Sequence, residues 1–329
     1  MTDKLHTVKF TNIESAELVV SNAESEPLSE REVRGRTIRS LISPGTELAG
    51  YKGQYSWAQF PFSTGYASVF EVDSVGTAVA DLKPGDLAFC MGNHQSRQRA
   101  LRDQVVPLPA GLSPEVAPFA RLMCVTMSTL TTTTARPPSK VIVTGLGIVG
   151  HLAARMFHSC GYDVLAIDPI EARREAVIRG GVKNALPSIP LNDPVYVEKV
   201  ALVVECSGHE QAAMDACKIV QKRGEVVVVA AMWQRRTDLS AFELLNTVFN
   251  RYVVLRSGWE WELPLQATDF RSNSIYGNIT GALQWLADGR ITTNGLALDY
   301  SPRDAQQAYQ QLLHDPARSL SVLFDWTRI

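Results

Sequence analysis

The spacing of hydrophobic positions changes along the chain and divides it into three zones. Up to about Leu112, short apolar runs such as residues 67–72 are separated by Gly and Pro, a pattern typical of β-strands joined by turns. From Lys140, apolar runs such as residues 141–144 alternate with stretches in which hydrophobic residues recur at helical spacing. Strands that are apolar throughout and alternate with helices predict a parallel sheet covered on both faces.

A helical pattern begins after Pro114 and runs through Cys124, and residues 131–139 are predicted to end it. That segment reads T-T-T-T-A-R-P-P-S, in which β-branched residues and consecutive prolines disfavour a helix and indicate a hinge. We therefore predict an α/β chain in three parts. These are a β-barrel-like domain over residues 1–126, a doubly wound domain over 127–262, and a segment over 263–329 that returns to the first domain.

Length, charge and cysteine content narrow the class of protein. A chain of 329 residues favours two domains, and a net charge of -2 gives no electrostatic basis for binding nucleic acid or an anionic membrane. No apolar run reaches the ~18–20 residues that span a bilayer, and residues 1–6 lack a signal-peptide core. The five cysteines are odd in number and lack C-x-x-C spacing, which favours reduced thiols. We predict a cytoplasmic protein that acts on a small-molecule substrate.

A glycine-rich loop follows the first strand of the second zone. It reads G-x-G-x-x-G over Gly145, Leu146, Gly147, Ile148, Val149 and Gly150, and Asp168 ends the next strand about 20 residues later. Gly145 permits a tight turn, Gly147 lets a pyrophosphate approach the backbone, and Gly150 lets helix and sheet pack closely. The helix N-terminus offers unpaired N–H groups to phosphates. The Asp168 carboxylate would accept hydrogen bonds from the ribose hydroxyls of NAD and would repel the 2′-phosphate of NADP. NAD is therefore favoured over NADP. The alternative is a structural turn with Asp168 as a helix cap.

Several further motifs resemble those of the medium-chain dehydrogenase/reductase superfamily, the group of zinc-type alcohol dehydrogenases and quinone reductases. Residues 44–47 read P-G-T-E, which is similar to the family motif C-G-T-D. Residues 65–72 read G-Y-A-S-V-F-E-V, which is similar to the family motif G-H-E-x-x-G-x-V. Residues 203–208, V-V-E-C-S-G, resemble a later signature of the family's nucleotide-binding domain. The resemblance implies a GroES-like β-barrel catalytic domain joined to a Rossmann domain.

The same resemblance implies contacts to the cofactor and to a second copy of the chain. It places Arg173 near the adenosine ribose and Ser207 and Ala231 near the nicotinamide half. Members usually pair through their Rossmann domains, which implies a homodimer or homotetramer. The apolar stretch 252–255 is the candidate pairing strand, with a core strand as the alternative.

The zinc ligands of this family are largely missing here. By the resemblance, Pro44 stands at the position of the first ligand, a Cys, and Tyr66 at that of the second, a His. Only Cys124, at the third position, keeps an ordinary ligand type. The resemblance therefore implies no metal in the site. An improvised site formed by Glu47, His94 and Cys124 is the alternative.

Hydride chemistry without zinc needs hydrogen-bond donors or a general base, and four residues are candidates. Thr46 matches the hydroxyl that relays the alcohol proton in zinc-containing relatives, and Glu47 follows it directly. Tyr66 places a phenol where a ligand stood, and His94 lies in a loop at the end of the β domain. Thr46 could instead bond backbone in a turn, Tyr66 could be a strand aromatic, and His94 could be a surface residue.

Three functions remain open from the sequence. The S-x-G-T-E pattern without the Cys is similar to a branch that includes the bacteriochlorophyllide a dehydrogenases, which oxidise a secondary alcohol to a ketone. The first hypothesis is therefore an NAD-dependent, zinc-independent oxidoreductase for a secondary alcohol, such as a polyol or sugar derivative. The second is a quinone or enone reductase. The stretch Y-K-G-Q-Y at residues 51–55, which is similar to zinc-free relatives of that kind, favours it. The third is a catalytically silent NAD(H)-binding protein.

Overall fold

The computed structural model describes residues 4–22 and 26–329. Contacts within the chain define two compact units. Unit 1 comprises Met1–Arg121, Ile279–Gly289 and Thr293–Ile329, and unit 2 comprises Leu122–Asn278 and Arg290–Thr292. Residues 1–3, part of the amino-terminal stretch considered above for a signal peptide, lie outside the described residues.

The strands in chain order are β1 (Lys4–Asn12), β2 (Ser15–Asn22), β3 (Glu32–Leu41), β4 (Phe62–Ser63), β5 (Ser68–Val75), β6 (Leu87–Cys90), β7 (Arg97–Leu101), β8 (Val105–Pro107), β9 (Lys140–Thr144), β10 (Asp163–Ile167), β11 (Asn184–Leu186), β12 (Val200–Glu205), β13 (Val220–Val228), β14 (Val254–Ser257), β15 (Ala297–Tyr300) and β16 (Ser321–Asp325). The α-helices are α1 (Pro44–Tyr51), α2 (Phe119–Thr132), α3 (Ile148–Ser159), α4 (Glu171–Arg179), α5 (Glu210–Ile219), α6 (Ala241–Arg251), α7 (Ile275–Ala287) and α8 (Ala305–His314). Within the described residues, no helix combines the length and hydropathy needed to cross a membrane.

Unit 1 is built on two β-sheets. One has three strands in the order β2-β1-β4, and the other follows the order β15-β16-β3-β5-β6-β8 with β7 paired to β3. Neighbouring strands are antiparallel except β15 and β16. Phe10 of β1, Tyr51 of α1, Tyr309 of α8 and Phe324 of β16 are fully buried in one core. The last two elements of the chain therefore complete the core around α1, which carries the P-G-T-E motif.

Unit 2 is a six-stranded parallel sheet in the order β11-β10-β9-β12-β13-β14. Every residue of β12 is buried, as expected for a strand covered by helices on both faces. The order reverses between β9 and β12, and ligands of such sheets bind at the carboxyl ends of the strands beside that point. The predicted fold class, a β-rich lobe with a Rossmann sheet, is confirmed.

Two boundaries differ from the sequence-based ones. Residues 263–278 lie in unit 2 rather than with the C-terminal segment. The Ile275 carbonyl oxygen accepts a hydrogen bond from the Cys124 thiol of α2 at 3.5 Å, and the Ile275 amide donates to the Pro264 carbonyl oxygen. Helix α2 begins at Phe119, since residues 114–118 form turns, and it extends into the Thr run. Thr131 and Thr132 are accommodated because their hydroxyls donate to carbonyls of the preceding turn.

Candidate active site

The glycine-rich loop of unit 2 uses its three glycines for different reasons. Gly145 has a φ of 77°, and a side chain there would come within 2.5 Å of the Ser207 backbone. At Gly150 a side chain would lie 1.9 Å from the Gly145 carbonyl oxygen. Gly147, in contrast, has a φ of -63°, and a Cβ would meet no neighbouring atom within 4 Å. Folding thus explains Gly145 and Gly150 but not Gly147, whose open face at the N-terminus of α3 fits a phosphate.

Asp168 follows β10 and holds this loop in shape. Its Oδ2 accepts a hydrogen bond from the Leu146 amide at 2.7 Å and its Oδ1 accepts one from the Ile170 amide at 2.8 Å. Arg173 lies with Nη1 3.5 Å from Oδ2, and Asp168 is only 2% exposed. A carboxylate has about four acceptor positions. The two amides take two and Arg173 faces a third, so about one remains for a ribose hydroxyl. Asp168 therefore bonds local backbone, as the capping alternative required, and still fits a dinucleotide.

The carboxyl ends of β12 and β13 complete this half of the site. A side chain on Gly145 would strike Ser207, and one on Gly208 would lie 3.1 Å from the Ala231 carbonyl oxygen. The structure thus brings the glycine loop, Ser207 and Ala231 to one edge of the sheet. Ile148 and Val149 form the first turn of α3 beside them.

Glu205 is a residue of this edge that the sequence analysis missed. It is fully buried, accepts hydrogen bonds from the Ser207 amide at 2.7 Å and the Gly208 amide at 3.2 Å, and also contacts the Ser207 hydroxyl. Burial raises the pKa of the Glu205 carboxyl, although the Ser207 and Gly208 donors oppose the rise. Glu205 therefore fixes the backbone that follows β12.

In unit 1, two of the four catalytic candidates meet at a partly exposed hydroxyl pair. Thr46 lies in the first turn of α1, and the Tyr66 hydroxyl donates to its Oγ1 at 3.3 Å. Tyr55 donates to the Thr46 carbonyl oxygen at 2.6 Å and stacks on Trp57 with ring centroids 4.9 Å apart. Burial raises the pKa of the Tyr66 phenol above its usual value, so this hydroxyl keeps its proton at neutral pH.

The other two candidates lie together in the interior. Glu47 is 3% exposed, and its Oε2 accepts hydrogen bonds from Thr64 Oγ1 at 2.8 Å and from the Tyr309 hydroxyl at 2.6 Å. Its Oε1 accepts one from the Ser43 amide at 2.7 Å. His94 is 0% exposed, with Nε2 3.1 Å from Glu47 Oε2. The interpretation of His94 as a surface residue is therefore wrong.

The ring of His94 has no nitrogen left for a metal. Its Nδ1 is 2.7 Å from the Ser40 hydroxyl, which also accepts a hydrogen bond from Trp326 Nε1 at 2.8 Å. Cys124 donates to a backbone carbonyl in unit 2. Among residues 4–22 and 26–329, no three His, Cys, Asp or Glu side chains lie close enough to hold a metal ion. With Pro44 and Tyr66 at the ligand positions, this donor set does not fit zinc.

Arg121 and Tyr309 also belong to this region and were missed. Arg121 of α2 is 3% exposed and its Cζ lies 4.7 Å from the centre of the Tyr66 ring. A signal for it was present in the sequence, because Arg121 is a lone charge inside the run A-P-F-A-R-L-M-C. Tyr309 carried no such signal, since only the tertiary fold brings it to Glu47.

Comparison with known proteins finds similarity to dehydrogenases. A model described as a zinc-binding dehydrogenase matches residues 149–262. An alcohol dehydrogenase of Geobacillus stearothermophilus is 28% identical over 318 residues, covering 84% of this chain and 87% of the relative. The 2-dehydro-3-deoxy-L-galactonate 5-dehydrogenase of Pseudoalteromonas atlantica is 28% identical over 129 residues, or 37% of this chain. For that protein and a second match, the chain spans only 38% and 42% of the relative's length.

Solved structures show the same fold over almost the whole chain. Galactitol-1-phosphate dehydrogenase from Escherichia coli has a TM-score of 0.83 at 17% identity, covering 97% of this chain and 99% of that one. Acetophenone reductase from Geotrichum candidum, in complex with NAD, has a TM-score of 0.80 at 14% identity, with 100% and 99% coverage. A zinc-binding dehydrogenase from Sinorhizobium meliloti bound to NADP has a TM-score of 0.77 at 15% identity, with 98% and 99% coverage. At these identities the likeness concerns the fold alone.

Proposed function

We propose that this chain is a member of the zinc-type medium-chain dehydrogenases and reductases, and that it is an NAD-dependent oxidoreductase acting on secondary alcohols or ketones without catalytic zinc. The observation that carries the proposal is the Thr46–Tyr66 hydroxyl pair. Its two side chains are partly exposed and hydrogen-bonded at 3.3 Å, and Tyr66 stands where the family has a zinc-binding His. A side chain positioned beside a reacting group, a tyrosine hydroxyl among them, can transfer a proton in the transition state.

The proposed reaction needs a hydride acceptor and a path for the alcohol proton. When bound, the oxidised nicotinamide supplies a hydride acceptor, so that one alcohol and one NAD⁺ give one ketone, one NADH and one proton. Thr46 and Tyr66 orient the alcohol oxygen and relay its O–H proton. The Tyr66 oxygen accepts that proton as Tyr66 gives its own to Thr46 Oγ1 and Thr46 gives its own to water, so both hydroxyls end protonated. In the direction of reduction, the same hydroxyls donate to the ketone oxygen, and the raised pKa of Tyr66 keeps its proton available at neutral pH.

Glu47 and His94 support this site without contacting the substrate. Neither side chain reaches solvent, so neither is proposed to touch the substrate. Glu47 instead ties the Ser43 amide at the start of α1 to α8, through Tyr309, and thereby fixes the helical turn that carries Thr46. We propose that both act as positioning residues for Thr46.

A hydroxylated substrate, such as a polyol or sugar derivative, suits the surroundings of the hydroxyl pair. Trp57 is 73% exposed yet stacks on Tyr55, whose hydroxyl bonds the Thr46 carbonyl. An aromatic face of this kind offers the apolar side of a sugar ring a contact surface. The relative named for a deoxygalactonate, 28% identical over 37% of this chain, supports the same substrate class.

We expect NAD(H) to be preferred over NADP(H). The Asp168 carboxylate accepts hydrogen bonds from the Leu146 and Ile170 amides at the glycine loop, and it would repel the negative charge of a 2′-phosphate beside it. The preference should be at least about tenfold in Kd, which corresponds to ~1.4 kcal/mol. Titrations of the same sample with NADH and NADPH, followed by cofactor fluorescence, measure it. Tighter binding of NADPH would contradict the assignment.

A substrate panel separates this function from its two competitors. Secondary alcohols, polyols, quinones and enones are tested with both cofactors, and absorbance of the reduced nicotinamide reports turnover. The proposal expects oxidation of secondary alcohols with NAD. Reduction of quinones or enones alone would favour the reductase of the same fold, and tight NADH binding without turnover on any compound would favour the silent binding protein.

We further propose that the chain forms a homodimer, or a tetramer of such pairs, through unit 2. Three side chains of α6, Phe242, Leu245 and Phe249, are 73%, 66% and 80% exposed and lie at helical spacing. Strand β14, which overlaps the predicted pairing stretch 252–255, is at the edge of the parallel sheet. Light scattering should give about twice the 36.2 kDa chain mass or more, and a monomer at micromolar concentration would refute the assembly.

A further inference from the structure

Arg121 is a buried cation beside the hydroxyl pair, and the chemistry proposed above gives it no role. It is the third residue of α2, is 3% exposed, and places its Cζ 4.7 Å from the centre of the Tyr66 ring. A guanidinium does not lose its proton in proteins, so this charge is permanent. Its position over the ring is favourable because the face of an aromatic ring is electron-rich.

The neighbours of Tyr66 show which way this charge acts. Burial raises the pKa of the Tyr66 phenol most strongly, and the Arg121 charge and the Thr46 hydrogen bond oppose the rise. The Glu47 carboxylate acts in the same direction as burial, but its oxygens are engaged by Thr64, Tyr309 and the Ser43 amide. Arg121 is thus the positive charge that favours an anion at the Tyr66 and Thr46 oxygens.

We propose that Arg121 supplies the positive charge that a metal ion provides in zinc-containing members of the family. The geometry is a guanidinium behind the Tyr66 ring, with the Tyr66 hydroxyl on Thr46 Oγ1 at 3.3 Å. As a substrate alcohol gives up its proton to this pair, negative charge develops on its oxygen, and a preorganised charge nearby stabilises it. Arg121 acts through Tyr66, so it is a positioning residue, and the inference rests on the proposed function.

The test uses alcohols that differ in acidity, because a positive charge favours the alcohol that ionises more easily. The probes are 2-propanol and hexafluoroisopropanol, bound in the presence of NAD and followed by protection against thermal unfolding. The wild type should bind the fluorinated alcohol more tightly. Arg121→Met should reduce that preference by about tenfold, and Arg121→Lys, which keeps the charge, should retain most of it. Arg36→Met, which removes an exposed arginine of unit 1 paired with Glu71, should leave the preference unchanged.

Turnover gives a second readout. Arg121→Met should lower kcat by roughly 100-fold, the size of effect seen when one oxyanion-stabilising donor is removed, with little change in the KM for NAD. If the methionine variant does not fold, Arg121→Gln takes its place, since glutamine is polar and uncharged.

The outcomes separate this inference from the proposed function. An unchanged alcohol preference in the neutral variants, or a wild type that does not discriminate between the two alcohols, would overturn the role of Arg121. If the wild type turns over no compound of the panel but loses its alcohol preference in Arg121→Met, the proposed function fails and the electrostatic role of Arg121 stands.

Discussion

Replacing Glu47 by alanine is expected to destabilise unit 1 by about 3–5 kcal/mol, because several buried donors lose one acceptor and each unsatisfied buried group costs about 1–3 kcal/mol. The substitution leaves the Tyr309 and Thr64 hydroxyls, the Ser43 amide and His94 Nε2 without their common acceptor. Each of these donors would then be buried without a partner. Denaturation by guanidinium, followed by tryptophan fluorescence and circular dichroism, measures the loss.

Glu175 on α4 provides the matched control. It forms an exposed pair with Arg179 at 3.6 Å, and its replacement by alanine should change stability by less than about 0.5 kcal/mol. If Glu47→Ala were no more destabilising than Glu175→Ala, the buried network would not be what holds α1 in place.

Low pH should abolish the contribution of the Glu47 carboxylate to the stability of the folded chain. Burial alone would raise the pKa of this carboxyl, but His94, Tyr309 and the Ser43 amide hold it below its usual value. The pKa of Glu47 is lower in the folded chain than in the unfolded chain, where it is near 4.5. The stabilisation is therefore complete above the pKa of the unfolded chain and is lost as the pH falls through the pKa of the folded chain. The stability gap between the wild type and Glu47→Gln should therefore narrow below about pH 4.

The second large effect is expected at Gly147, where alanine should weaken cofactor binding without harming the fold. A methyl group there meets no neighbouring atom within 4 Å, and the φ of -63° suits any residue. Stability should stay within about 0.5 kcal/mol of the wild type. A phosphate on the same backbone would collide with the methyl group, so NADH affinity should fall by roughly 10- to 100-fold, or ~1.4–2.8 kcal/mol.

Gly150→Ala is the contrasting variant. Its methyl group would lie 1.9 Å from the Gly145 carbonyl oxygen, so this substitution should lower the melting temperature as well as the NADH affinity. Gly45→Ala in unit 1 also adds a methyl group to open space and should bind NADH like the wild type. NADH binding by Gly147→Ala at wild-type affinity would show that the loop is only a structural turn.

The sequence predicted those features whose cause is local. The glycine loop, the strands on either side of it and Asp168 all lie within about 30 residues, and the fixed spacing of such a unit reveals it without tertiary information. Parallel strands bring their carboxyl ends to one edge of the sheet, so residues that follow those strands lie near the glycine loop. Only the family resemblance singled out Ser207 and Ala231 among them.

The buried network could not be predicted in the same way. Glu47 and Tyr309 are 262 positions apart, and nothing in either stretch identifies the other as its partner. His94 follows Gly92 and Asn93, which favour a loop, and its burial follows from tertiary contacts such as the edge-to-face packing of Phe324 against its ring. Arg121 could have been found, because a single charge in an apolar helix needs a partner or a task.

The central claim, hydride transfer without a metal, is tested most directly by turnover of metal-depleted protein. The protein is treated with a chelator, its zinc content is measured, and oxidation of the best alcohol of the panel with NAD is followed on the same sample. A zinc-containing alcohol dehydrogenase treated in parallel serves as the control. We predict an unchanged rate at a zinc content far below one ion per chain. Loss of activity on chelation, restored by one zinc ion per chain, would contradict the proposed mechanism.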